Sequence, residues 1–102
     1  MEELAQAVEL TQQMLAAVKN SEWEQVNTLS NRRQTHLEKF FAEPIPQDIA
    51  SDVETIILKI QSLDLQISVY CDAEREQLAQ QLQGLNKQKQ GTAAYHQTAK
   101  QQ

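Results

Sequence analysis

Apolar residues recur along this chain at three- and four-residue steps, the spacing that lines up one face of a helix. Leu4, Ala7, Val8, Thr11, Met14, Leu15 and Val18 mark a first helix over residues 2–19. Asn20-Ser21 ends it. Ser21 and Glu24 stand in Ser-x-x-Glu spacing, a capping box in which each side chain satisfies an orphan amide at the helix start. The second helix is then expected over about 22–41, with Trp23, Val26, Leu29, Ser30, Arg33, Leu37, Phe40 and Phe41 on its stripe. So short a link predicts an antiparallel hairpin.

Glu43-Pro44-Ile45-Pro46 stops the second helix, since each Pro biases the residue before it away from helical geometry. Asp48 is a candidate cap for a third helix. Ile49, Val53, Ile56, Ile60, Leu63, Ile67, Tyr70 and Cys71 then keep a near-heptad spacing, and Leu78, Leu82 and Leu85 continue it. This reads as one long helix from 48 to about 90, with Gly84 a candidate kink and Gly91 the expected stop. Residues 91–102 form a basic, Gln-rich tail or a short fourth helix. The fold class is therefore all-α: two shorter antiparallel helices packed on one long helix, with the bundle over 1–90. Val8, Leu15, Val26, Leu37, Phe40, Ile56, Ile60 and Leu63 are the expected core.

Helix lengths sharpen this. At 1.5 Å per residue the first two helices reach roughly 27–30 Å and the third roughly 55–60 Å. The short helices cover the third only to about Ile67–Tyr70. Leu78, Leu82 and Leu85 are left for the tail, a second copy or a partner. Leu58, Leu65 and Val69 fall about 180° from the main stripe, where a bundle needs no apolar residue. The bland reading of those three is scattered surface aliphatics; the sharper one is a partner contact.

Composition agrees with helices. Gly and Pro occur only twice each, too few for the turns of an all-β domain, and Gln occurs seventeen times in 102 residues. The net charge of −5 disfavours general nucleic-acid binding. Residues 1–86 carry fourteen acids and six bases, whereas 87–102 carry Lys87, Lys89, Lys100 and no acid. The lone Cys71 excludes an internal disulfide and fits a reducing compartment. The acidic start lacks a signal peptide's pattern, and the longest aliphatic run, Ile56-Ile57-Leu58, is far short of a membrane span. A cytoplasmic protein without membrane insertion is expected.

Candidate chemistry is sparse. Cys71 lies on the apolar stripe, where a free Cys acts as a small hydrophobe. His36 and His96 read as surface residues, and neither has metal-ligand spacing to a neighbour. No enzyme activity, metal or cofactor is expected. Arg33 shares a face with Leu29, Leu37 and Phe40, so it needs a partner. Folding the chain about residues 44–45 brings it near residue 56, which makes Asp52 the candidate mate. Trp23 and Phe40 read as structural residues.

The span Trp23-x-x-Val26-x-x-Leu29-x-x-x-Arg33-x-x-x-Leu37-x-x-Phe40 resembles the second helix of the FliT-type flagellar export chaperones. The order of elements agrees: a short acidic first helix, a Pro-containing link, a long Gln-rich helix, then a small-residue tail with Tyr95 in Gly91-Thr92-Ala93-Ala94-Tyr95. The resemblance implies a cytoplasmic helical bundle that binds the flagellar filament-cap protein. It implies further contacts with the export ATPase complex and export gate and, in some members, with the flagellar master transcription regulator. Relatives carry a fourth helix that covers the binding surface; only eleven residues follow Gly91 here. The expected partner-binding residues are Leu58, Leu65 and Val69 first, then Leu78, Leu82, Leu85 and Tyr95. A homodimer built through the long helix is the competing reading.

Overall fold

In the first element, helix α1 (Glu2–Lys19), Glu2 and Glu3 lie in the first turn and Lys19 in the last. Each charge opposes the partial charge of its helix end. The structure is a computed structural model that describes the backbone of residues 1–97 and the side chains of residues 1–85. Helix α2 (Trp23–Phe41) and helix α3 (Ala50–Gln97) complete the set, with a 3-10 turn at Gln47–Ile49 before α3. The described residues contain no strand, as the helical periodicity predicts. Compact packing divides α3: residues 1–71 form one unit, and a second begins at Asp72.

The α1–α2 turn departs from the expected capping box. Glu22, not Ser21, is the N-cap of α2, and no side chain caps it. Ser21 instead takes a left-handed conformation, φ 57°. Its amide donates to the Val18 carbonyl at 3.1 Å, and the Glu22 amide donates to the Ala17 carbonyl at 2.9 Å. That pair of bonds is a Schellman motif. Ser21 is committed to ending α1, so it cannot begin α2. The antiparallel hairpin survives, because α1 and α2 pack along their length.

The core lies mainly on α1. Leu4, Ala7, Leu10, Thr11, Met14, Ala17 and Val18 are buried there, against Leu29 on α2 and Val53, Ile60 and Ile67 on α3. Helix α1 is thus the one enclosed by its neighbours. Of the eight expected core residues only Ile60 is fully buried; Val8, Leu15, Val26, Leu37, Phe40, Ile56 and Leu63 are half-buried. Leu10 and Ala17 are fully buried though the expected α1 stripe omitted them, and Phe41 and Tyr70, expected on the stripes of α2 and α3, are exposed, because α2 and α3 keep an open edge. Leu10, Met14, Ala17, Val18, Leu29 and Ile67 form one cluster, with Leu15, Trp23, Val26 and Cys71 packed on its margin. Cys71 is thus a small packing residue.

Beyond Phe41 the chain is irregular to Pro46, which has the extended backbone φ −59°, ψ 141°. The Ile49 amide donates to the Pro46 carbonyl at 3.2 Å and closes the 3-10 turn. Asp48 falls inside this turn instead of capping a helix. Helix α3 continues through both Gly84 and Gly91 to Gln97, so Gly91 is not the stop that its sequence context suggested. A glycine lowers helix stability by about 1 kcal/mol without forbidding helical geometry, and only Pro would break the hydrogen-bond ladder.

Candidate helix-docking surface

One polar arrangement joins all three helices inside the unit formed by residues 1–71. Arg33 on α2 donates through Nη1 to Asp64 Oδ1 on α3 at 2.6 Å and to Thr11 Oγ1 on α1 at 3.2 Å. Thr11 is buried, and its hydroxyl also donates to the Ala7 carbonyl at 2.7 Å. Each buried polar atom of this chain of bonds has a partner, which is what burial requires. The Arg33 side chain is 17% exposed. The expected mate, Asp52, is therefore replaced by Asp64. The eight-residue difference from position 56 corresponds to about 12 Å of helix rise. The irregular residues 42–46 and the 3-10 turn at Gln47–Ile49 stand between the two helices, so folding the chain symmetrically about residues 44–45 does not give the level of Arg33 on α3.

A second pair ties α1 to α2: His36 Nδ1 contacts Glu3 Oε1. The hydrogen bond from His36 holds the Glu3 carboxyl below its ordinary range, against some desolvation, with help from the charges of His36, Lys39 and the chain's amino terminus. Sequence reading missed this pair, because thirty-three positions separate the residues. At the same end of the bundle, Phe40, Pro44, Ile45 and Ile49 line an open pocket of about 350 Å3 with Glu3 and Lys39 at its margin. The double-Pro link forms its wall.

The expected surface residues are where the periodicity put them. Val53, Ile60 and Ile67 are buried seven residues apart and define the inward line of α3. Leu58, Leu65 and Val69 lie about 140–180° around the helix from Ile60 at 100° per residue. They are 57%, 69% and 62% exposed. Leu78, Leu82 and Leu85 are exposed as well, in the second unit. The side chain of Tyr95 lies outside the described residues. Trp23 and Phe40 are half-buried; Trp23 lies on the core margin, and Phe40 meets Phe41 edge to face at 5.0 Å between ring centroids. Lys19 Nζ sits 5.9 Å from the centre of the Tyr70 ring, joining the end of α1 to α3.

What this arrangement offers chemically is surface. Among the described residues no three His, Cys, Asp or Glu side chains gather in a metal-binding group, and no helix is long and apolar enough to cross a membrane. Exposed aliphatics at positions 58, 65 and 69 repeat at seven and four residues, the spacing with which one helix receives another.

No curated protein and no solved structure matches the chain. A sequence model of one family, described as flagellar protein FliT, matches residues 1–97. That match runs from α1 to the last described residue of α3, so the chain belongs to the FliT family of flagellar proteins.

Proposed function

We propose that this protein is a cytoplasmic flagellar export chaperone that binds an amphipathic helical segment of the filament-cap protein and escorts it to the export apparatus. The observation that carries the reading is the line Leu58, Leu65 and Val69, exposed on a helix of a FliT-family chain whose inward face is already filled. An apolar line with no role in the fold is what a client helix needs, and it would shield the client's own apolar face from premature assembly. The role asks for no bond-making or bond-breaking chemistry, metal or cofactor. Contacts with the export ATPase complex and the export gate come, in this reading, once the client is held. A contact with the flagellar master transcription regulator would use the same exposed line.

Calorimetry with the purified C-terminal region of the cap protein tests the proposal. The intact chain is expected to bind it. Leu65→Glu should weaken binding by about 2 kcal/mol or more, as loss of an interface anchor does. The same change should shift stability by no more than about 0.5 kcal/mol, because the side chain is exposed. Absence of any complex with the intact, folded chain would overturn the reading.

A further inference from the structure

We propose that the open pocket beside the α2–α3 link receives a basic segment of a partner protein, seating one bulky apolar side chain between Phe40, Ile45 and Ile49. The pocket, of about 350 Å3, lies within the unit of residues 1–71 and matches the smaller end of ligand-binding cavities. Phe40 comes from α2, Ile45 from the link between Pro44 and Pro46, and Ile49 from the 3-10 turn. Apolar surface continues around it. Met1, which also lines the pocket, is 44% exposed and Ile45 is 38% exposed; Phe41, packed edge to face on Phe40, is 49% exposed. Proline fixes its own φ and confines the residue before it to extended backbone. The link is therefore stiff where it walls the pocket, and little order has to be imposed when a ligand enters. An uncovered apolar patch around a preformed hollow marks an interaction site.

Charge gives the chemistry of the occupant. Over residues 1–5 and 38–53, at the end of the bundle where the pocket lies, stand Glu2, Glu3, Glu38, Glu43, Asp48 and Asp52, against Lys39 and the chain's amino terminus. His36 answers Glu3. Glu2, Glu3 and Asp52 oppose the positive starts of α1 and α3, as folding alone would favour. Glu38 and Glu43 do not. They lie at the negative end of α2, where an acid costs stability. Among the described residues neither is in an ion pair. Glu43 lines the pocket itself. Acids set against a helix dipole beside an apolar hollow are complementary to a cationic segment. This site shares no residue with the line of Leu58, Leu65 and Val69, so it does not depend on whether that line binds a client.

An amide NMR titration of the isotope-labelled full chain tests it, with the synthetic peptide acetyl-Lys-Lys-Leu-Lys-Lys-amide as probe. Shifts are expected at Glu3, Phe40, Glu43, Ile45 and Ile49, with a dissociation constant below about 1 mM that rises with salt. The same peptide with Ala in place of Leu keeps the charge and should bind about tenfold more weakly, because the buried side chain is lost. Ile45→Glu should weaken binding of the Leu peptide by about tenfold or more. Its helical signal and the fluorescence of Trp23, at the other end of α2, report whether the bundle is still folded. Glu43→Lys changes only an exposed side chain and should weaken binding by about threefold or more, so it decides the matter if Ile45→Glu does not fold. Leu65→Glu should leave binding within about threefold, which separates this pocket from the client line. A folded chain that does not bind the Leu peptide would overturn the proposal. So would equal binding of the Leu and Ala peptides, indifference to Glu43→Lys, or a loss on Leu65→Glu as large as that on Ile45→Glu.

Discussion

Arg33 looks out of place on an apolar stripe until its two partners are seen on two other helices. With 17% of its side chain exposed and bonds to Asp64 and Thr11, it acts as a polar pin through a half-open core. Arg33→Ala should cost about 1–2 kcal/mol in urea unfolding, since it removes a partly buried side chain and its bond to buried Thr11, while Asp64, 41% exposed, regains water. Asp52→Asn should stay within about 0.5 kcal/mol of the parent, because Asp52 is exposed and forms none of these bonds. An equal loss for the two variants would contradict the observed pairing. The Glu3–His36 contact makes a different prediction, in pH. The folded-state pKa of Glu3 is lowered. Its contribution is therefore complete above the unfolded value of about 4.5 and is lost as pH falls through the lower folded value. Below about pH 4.5, stability should fall less steeply with acid in Glu3→Gln than in the parent, as measured by urea midpoints across that range.

At the scale of elements, the features that could be read from sequence were those a helix shows locally. The three stripes, the Pro-Ile-Pro break and the exposed line at 58, 65 and 69 each depend on residues within a few turns of one another. The α1–α2 turn could not be read this way. Ser21 and Glu24 have the right spacing for a capping box, yet a Ser in a left-handed turn serves the helix behind it. The left-handed region costs a non-glycine residue roughly 1–2 kcal/mol. Ser21→Gly should therefore stabilise the bundle by about 0.5–1 kcal/mol, the strain relieved less the added freedom of the unfolded chain. A capping-box Ser would respond in the opposite sense, so the direction of the thermal shift decides between the two turns.

For the whole molecule, the separation of the two apolar lines matters most. One lies in the unit that ends at Cys71, and the other in the unit that begins at Asp72. If the first line alone receives the client, Leu65→Glu and Leu82→Glu should differ in their effect on client binding. Leu65→Glu should weaken client binding, whereas Leu82→Glu should leave client affinity within about threefold. Calorimetry on both variants tests this; equal losses would mean that the client also contacts the line of Leu78, Leu82 and Leu85.

The helical class, most of the three stripes and the aliphatic line that the fold does not use were legible in the local pattern of residues. Periodicity, Pro placement and glycine scarcity are properties of neighbouring residues, so they need no knowledge of the rest of the chain. Tertiary structure alone decided which stripe would be enclosed, which acid would meet Arg33, and that His36 would meet Glu3. These depend on the register between helices, which the irregular link between α2 and α3 leaves free of the local pattern. A slide of about two turns along α3 moves the level of Arg33 from position 56 to Asp64 without changing anything that the local pattern can report.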